Sequence, residues 1–297
     1  MTVTSAFGDV GVSVVPRVYG ASELGVLSLT APGEAHPRVE YVGGELFVGL
    51  DRAQDGAAIT QGEAESWTQP FRDAVTAALT SSVAVPAPVE GVVVIEDEVV
   101  AASVLVQPSR VAAAALTGAP VLFALRRDRV AIVGADDESA VARVLDLAEE
   151  LYDAGGPLVS AHPVALSENG WTPFAWRERF PSMELRFERV LRLFSVRAYE
   201  AQSVVLQRPD VHIADPKLRV LESGATATFA TWPKGTATLL PVVDNVIIAD
   251  SSSGTASLSV ATLKQFLDAA GDAVVRTGLS PARYFVPGEP PRAAQAG

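Results

Sequence analysis

A long, regular spacing of apolar residues between Ser182 and Leu206 constrains the fold more than any other feature of this sequence. These residues recur at alternating intervals of four and three, which places them on one face of a helix. At 1.5 Å per residue the helix is roughly 35 Å long, enough to cross a domain. The face comprises Phe187, Leu191, Phe194, Ala198, Ala201 and Val205. We expect this face to pack on the protein's own sheet. The alternative is a dimer in which a second copy of the helix packs on it, because the small side chains of Ala198 and Ala201 allow a close approach.

Short β-branched runs, broken by glycine and proline, lie on both sides of this helix. A second amphipathic helix is predicted from Asp136 to Asp153, with acids at its start and Gly155-Gly156-Pro157 at its end. The pattern predicts an α+β fold with two mixed or antiparallel sheet-and-helix halves joined by the long amphipathic helix. The predicted boundaries are 1–175 for the first half, 176–286 for the long helix and the strand-rich second half with its final helix, and 287–297 for a disordered tail.

Four local patterns give predictions that a structure can check directly. They are a strand over Leu24–Leu29, a helix capped by Ser66 and Gln69, a β-hairpin of Val92–Ile95 and Glu98–Val106, and a final helix over Val260–Val275. The hairpin prediction depends on the density of valine and on Glu96-Asp97 as its turn.

Composition excludes several classes of function. The chain of 297 residues has no cysteine, so disulfides, thiolate catalysis and cysteine-bound zinc are excluded. Its formal net charge of −12 repels phosphate backbones, so we expect no nucleic-acid partner. The apolar runs are too short to cross a bilayer, and residues 1–8 do not resemble a secretory signal. We therefore expect a soluble cytoplasmic protein without membrane association.

The motifs of common catalytic sites are missing. The sequence contains no phosphate-binding loop, nucleophile elbow, dinucleotide fingerprint or zinc-protease motif. Its three histidines, His36, His162 and His212, are far apart, and Asp244 and Asp250 stand at opposite ends of one predicted strand, about 20 Å apart. We predict no catalytic set, no metal ion and no cofactor.

The charge of the long helix differs from that of the rest of the chain. Residues 177–208 contain seven arginines and four glutamates, a local charge of +3. One interpretation is a docking surface for an acidic protein partner, with Arg186, Arg189 and Arg192 as candidate contacts. The other is an exposed helix face that pairs with the chain's own acids, and the acidic remainder of the chain favours this second interpretation.

Several short motifs resemble the YtpQ-like family of bacterial proteins. They are Arg126–Val130, Val141–Tyr152, Gly155–Pro163, Asn169–Trp171, Tyr199-x-x-Gln202, Trp232-x-x-Gly235 and Leu239-Leu240-Pro241-x-x-Asp244. The resemblance covers roughly residues 66–249 and implies a fold without implying an activity. Should these residues bind a ligand, Tyr199, Gln202, Trp232 and Asp244 are the candidates. Each also has a structural alternative: Tyr199 and Trp232 in packing, Gln202 on an exposed helix turn, and Asp244 in a turn.

These observations favour a non-catalytic binding, regulatory or immunity-type protein, either a monomer or a weak homodimer. The alternative is an enzyme with an unfamiliar carboxylate-based site near Asp244, such as a metal-dependent hydrolase. A second acid and a basic residue beside Asp244 in a pocket would favour the enzyme.

Overall fold

The computed structural model describes residues 13–79, 84–112, 114–251 and 257–288. The chain forms two compact units, Met1–Val190 and Leu191–Gly297, called here the first and second unit. The strands are β1 Val14–Gly20, β2 Val39–Gly43, β3 Leu46–Arg52, β4 Val93–Ile95, β5 Pro120–Arg126, β6 Arg129–Gly134, β7 Val164–Ser167, β8 Gly170–Pro173, β9 His212–Ile213, β10 Lys217–Val220, β11 Thr226–Pro233, β12 Thr238–Pro241, β13 Asn245–Asp250, β14 Ser257–Thr262, β15 Val275–Arg276 and β16 Arg283–Val286. The helices are α1 Ala21–Thr30, α2 Gln61–Glu65, α3 Phe71–Ala78, α4 Glu98–Val106, α5 Ser109–Ala112, α6 Glu138–Asp153, α7 Trp176–Arg179, α8 Glu184–Leu206 and α9 Leu263–Ala270.

The described residues of the first unit form two antiparallel sheets. One has the strand order β1-β3-β2, and the other has the order β4-β6-β5-β7-β8. Strands β5 and β6 are buried along almost their whole length, so this sheet is covered on both faces. On one of these faces Phe123 stacks on Phe187 of α8, with ring centroids 6.3 Å apart.

In the part of the second unit that the structure describes, the strands form two mixed sheets. The first has the order β10-β11-β13-β14, with β11 and β13 parallel, and the second has the order β15-β16-β12-β9, with β12 and β9 parallel. Helix α9 covers one face of the first sheet, where Trp232, Val246 and Phe266 form part of the core. These sheets and helices confirm the predicted α+β class. No helix within the described residues has both the length and the apolar character needed to cross a bilayer.

The long helix α8 agrees with its predicted span to within two residues at its start and ends at Leu206 as predicted. The contact boundary between the two units falls inside it, after Val190. Residues 289–297 of the predicted tail lie outside the described residues.

Two predicted β-segments are helices, so those predictions were wrong. Residues 98–106 form α4. Asp97 caps the start of this helix by accepting hydrogen bonds from the N–H groups of Val99 and Val100. Six consecutive residues from Val100 to Leu105 are buried, so the helix is enclosed on all sides, and this burial overrides the β preference of its valines. Residues 24–29 lie within α1, which starts after Gly20 with Glu23 in its first turn.

Two predicted helices have different boundaries. The helix predicted from Ser66 begins at Phe71 as α3, after Pro70 and without a side-chain cap. The capping box of Thr60 and Glu63 opens the preceding helix α2, which Ser66 ends. The final helix begins at Leu263 and is capped by Thr262 and Gln265. Val260, its predicted first residue, belongs to the preceding strand β14. For the final helix, the Thr-x-x-Gln pattern of Thr262 and Gln265 marks the true start.

Candidate functional site

The second unit is organised around a fully buried arginine, Arg283. It lies on β16, which pairs with β12, and its guanidinium is directed at the C-terminal turns of α8. The five N–H groups of a guanidinium need five acceptors when they are buried. The acceptors are Gln202 Oε1 at 2.6 Å, Ala214 O at 2.7 Å, Leu239 O at 3.1 Å, Tyr199 O at 3.2 Å and Ser203 Oγ at 2.7 Å. The cation therefore ties α8, β12 and the segment after β9 together.

No described carboxylate is bonded directly to Arg283. The Ser203 hydroxyl donates to Asp215 while accepting from Arg283, so it relays the charge of Asp215 to the arginine. Burial lowers the pKa of Arg283, and the attraction of Asp215 opposes this shift. An arginine keeps its proton even so, because its ordinary pKa lies far above neutral pH. The guanidinium is a structural cation with every donor occupied.

Tyr199 and Gln202, two predicted ligand residues, both belong to this network. The Tyr199 hydroxyl donates to Ala282 O at 2.7 Å and accepts from the N–H of Val242 at 3.1 Å. Burial is the main reason that the pKa of Tyr199 is raised. The Gln202 amide donates to Pro281 O at 2.8 Å and is fully buried. Both side chains are therefore occupied in the fold of the second unit.

The predicted apolar face of α8 differs from the buried face in its last two turns. Gln202 and Ser203 are buried there, whereas Ala201 and Val205 are exposed. The prediction of Gln202 on an exposed turn was wrong for this reason. Apolar spacing locates a buried face only where that face meets apolar surroundings, and here it meets a buried cation.

Asp244 lies just before β13 and closes against Thr228 of β11. Its Oδ2 accepts hydrogen bonds from the Thr228 N–H at 2.7 Å and the Thr228 hydroxyl at 2.9 Å. Arg192 of α8 donates to the same carboxylate through Nε at 3.2 Å. Burial alone would raise the pKa of Asp244, but the hydrogen bonds from Thr228 and Arg192 outweigh it and lower the pKa below its usual value. Asp244 is thus an ionised acceptor at neutral pH.

Among the residues that the structure describes, no second acid hydrogen-bonds or pairs with Asp244. Asp250, at the other end of β13, forms an ion pair with Lys234 at 2.6 Å. Among the described residues, no group of three or more histidine or acidic side chains is placed to hold a metal ion. General acid–base work needs a group whose pKa lies near neutral pH, and the lowered pKa of Asp244 moves it away from that range.

Trp232 lies in the apolar core of the second unit, where α9 covers the sheet. Its ring meets Phe266 edge-on, with centroids 5.3 Å apart, and its Nε1–H donates to Thr236 O at 3.2 Å. The structure therefore brings Tyr199 and Gln202 together, and leaves Trp232 in a separate packing position.

The three candidate docking arginines are each paired within the protein. In the first unit Arg186 pairs with Asp146 of α6, and Arg189 pairs with Glu149 at 3.1 Å. In the second unit Arg192 pairs with Asp244. The acids of α6 therefore give this face of the first unit a mixed charge.

The first unit holds a buried polar cluster that sequence reasoning missed. The Tyr19 hydroxyl donates to Asp51 at 2.6 Å, and Arg17 Nε lies 2.7 Å from the other oxygen of Asp51. Burial, together with the negative charge of Asp51, raises the pKa of Tyr19. Both side chains are almost fully buried. The residues lie on the same face of the neighbouring strands β1 and β3, and an alternating Arg-x-Tyr pattern in β1 was the available signal.

The histidines do not form a nucleophilic site in the described part of the chain. His36 lines an open pocket of about 340 Å³ with Ser28, Pro32, Gly33 and Gln61. Its ring nitrogens lie 3.1 Å from Pro37 O and 3.2 Å from Leu24 O.

His162 and His212 lie on the surface rather than in a catalytic arrangement. His162 Nε2 lies 3.9 Å from Glu45, and the nearby Ser160 hydroxyl donates to Glu45. A nucleophilic serine instead donates to a histidine that is oriented by an acid, so this arrangement does not activate Ser160. His212 is exposed because it lies on the short edge strand β9.

No family model, no curated protein and no solved structure matched this chain. The likeness to the YtpQ-like family therefore stays a prediction. Within the motifs on which it depends, Tyr199 and Gln202 enclose Arg283, and Asp244 closes on Thr228. These contacts give the motifs structural roles.

Proposed function

We propose that this chain is a non-catalytic binding protein that recognises an acidic protein partner through arginines of α7 and α8 in the first unit. The observation that carries the proposal is a row of four arginines whose side chains stay 40% to 59% exposed although each has a carboxylate partner. They are Arg177, Arg179, Arg186 and Arg189. A cytoplasmic location is part of the same proposal.

The existing ion pairs leave these arginines open to a partner. Exposed pairs of this kind contribute only about 0–1 kcal/mol each, because water and salt screen them. A guanidinium also has five N–H donors, and one carboxylate occupies at most two of them. Carboxylates of a partner can therefore share or replace the acids that now pair with these arginines at little cost, while the guanidinium geometry favours carboxylate ligands.

The polar centres of the second unit support binding over catalysis. Arg283, Tyr199 and Gln202 satisfy one another and nearby carbonyl groups. Asp244 is occupied by Thr228 and Arg192, and its lowered pKa is unsuited to proton transfer at neutral pH. An enzymatic site would need reactive groups left available to a substrate.

A paired substitution tests the proposal. The double variant Arg186→Gln with Arg189→Gln removes two positive charges without placing new carboxylates beside Asp146 and Glu149. We expect at least about a tenfold rise in the Kd for a purified acidic partner, equivalent to about 1.4 kcal/mol. The partner is first captured from the source cells by chemical cross-linking, and the Kd is then measured by calorimetry.

The matched control removes two arginines that pair with surface glutamates elsewhere in the first unit. Arg129 pairs with Glu96, and Arg143 pairs with Glu90 at 2.8 Å. The variant Arg129→Gln with Arg143→Gln carries the same charge as the test variant and should bind the partner as the unaltered chain does. An equal Kd for both double variants would reject the α8 surface. An equal circular dichroism spectrum for both confirms that the fold is retained.

A further inference from the structure

The strand β14 is an edge strand that lacks the usual protection against pairing. It hydrogen-bonds to β13 on one side, and no other described strand lies on its outer side. Its sequence, Ser-Leu-Ser-Val-Ala-Thr, contains no charge and no proline. The opposite edge strand of the sheet, β10, carries Lys217 and Arg219. Exposed edges without charge or proline are sites where another strand adds to the sheet.

The sheet face beside this edge is apolar and uncovered by the described residues. Leu258 is 73% exposed and Val260 is 61% exposed. They lie in register with Ala249 and Ile247 of β13, which continue the apolar patch inward. Helix α9 lies on the other face, where Phe266 packs on Trp232. Edge and patch together form one continuous surface.

We propose that a second copy of this chain occupies this surface by antiparallel pairing of the two β14 strands. The register places Ser259 of one copy opposite Ser259 of the other. Leu258 of each copy then stands opposite Val260 of the other, on the same face as the apolar patch. An antiparallel pair of identical strands has a twofold axis, so the contact is closed and repeats in both directions.

The self-complementarity of β14 is the reason for choosing a second copy as the occupant. The twofold axis joins the two patches of Ile247, Ala249, Leu258 and Val260 into one apolar cluster across a continuous sheet. No charged side chain of β14 enters the contact, although each copy carries a net charge of −12. Asp250, at the near end of β13, is neutralised by Lys234. Self-association through β14 does not depend on the proposed acidic partner.

The contact is small, so the dimer is expected to be weak. One strand and its flanking patch fall at the low end of interface sizes, which corresponds to a Kd on the order of 1–100 µM. Sedimentation across a concentration series spanning that range should show a reversible monomer–dimer equilibrium. A chain that stays monomeric up to roughly tenfold above that range would overturn the proposal.

Cysteine cross-linking tests the register, and the absence of cysteine from the chain gives a clean background. The variant Ser259→Cys should form a disulfide-linked dimer under mild oxidation, because opposed residues of antiparallel strands are about 4.5–5.5 Å apart at Cα. The control Ser257→Cys should not, because its counterpart lies four residues along the partner strand, about 14 Å away. Cross-linking at 257 instead of 259, or equally at both, would refute this pairing.

A charge at the edge tests the energetic role of the patch. Val260→Lys should weaken the Kd of self-association at least about tenfold, because it places two lysines beside the twofold axis. The matched control is Val275→Lys on β15, an edge strand of the other sheet with a similarly exposed valine at 57%. This control should leave the Kd unchanged. Equal effects, or a larger effect at Val275, would locate the contact elsewhere and reject β14.

Discussion

At the scale of single residues, Arg283 has the most demanding environment in the second unit. A cation removed from water costs several kcal/mol unless its donors are satisfied, and here the compensation comes from neutral acceptors, with Asp215 one hydrogen bond further away. The buried cation is therefore stable only when its whole set of acceptors is present. Each acceptor is stabilised by the same arginine that it helps to solvate.

Removing the guanidinium should consequently destabilise the second unit strongly. Arg283→Met removes the five hydrogen bonds to Gln202, Ser203 and three carbonyl groups, and we expect a loss of about 3 kcal/mol or more in the free energy of unfolding. The control Arg276→Met, on an exposed position of the neighbouring β15, should change it by less than about 0.5 kcal/mol. Hydrogen exchange resolved by peptide measures both. Equal protection from hydrogen exchange in the two variants would show that the Arg283 network does not stabilise the second unit.

The sequence pointed to Tyr199 and Gln202 but not to the residue that joins them. Their spacing of three places them on one side of a helix, and that could be predicted. Arg283 lies some 80 residues later in the chain, and three of its five acceptors are backbone carbonyl groups, which carry no sequence signature. Tertiary polar networks of this kind need the strand order before they can be inferred.

At the scale of elements, α4 shows how a cap can decide between strand and helix. Its valine-rich sequence has a preference for strands, yet Asp97 accepts hydrogen bonds from Val99 at 2.9 Å and Val100 at 3.0 Å, which fixes a helix start. Because the helix is buried on all sides, any apolar residue stabilises it there, whatever its intrinsic helix propensity.

The contribution of the Asp97 cap to the free energy of unfolding should be measurable on its own. Asp97→Ala removes both hydrogen bonds to the first turn of α4 and should lower the free energy of unfolding by about 1 kcal/mol. The adjacent substitution Glu96→Ala removes only an exposed pair with Arg129, so its effect should stay below about 0.5 kcal/mol. Urea denaturation of both variants gives the comparison. If the two losses were equal, general surface electrostatics rather than capping would explain them.

Elements with a strict period were predictable, and their pairing partners were less so. The hairpins β2–β3 and β5–β6 and the helices α6 and α8 follow local patterns of two or 3.6 residues. The parallel contact of β11 with β13 passes over β12, which pairs in another sheet. That choice depends on which faces are buried, and no local pattern contains it.

At the scale of the whole molecule, the net charge of −12 opposes both proposed contacts, and only the contact with the acidic partner is held by ion pairs that overcome this repulsion. Two copies of the chain repel each other, so charge opposes the β14 contact, whose attraction is apolar and made through backbone hydrogen bonds. The acidic partner is attracted by the local arginine row against the repulsion of the rest of the chain. At close range that attraction depends on ion pairs.

Ionic strength should therefore separate the two contacts. Raising the salt concentration from about 0.05 M to about 0.5 M shortens the screening length from roughly 14 Å to roughly 4 Å. Self-association measured by sedimentation should strengthen, because repulsion between like-charged copies is screened while the strand contact is not. The Kd for the acidic partner, measured by calorimetry, should rise over the same range. Self-association that weakened with salt would mean that ion pairs hold the copies together, and the uncharged edge of β14 could not then be their contact.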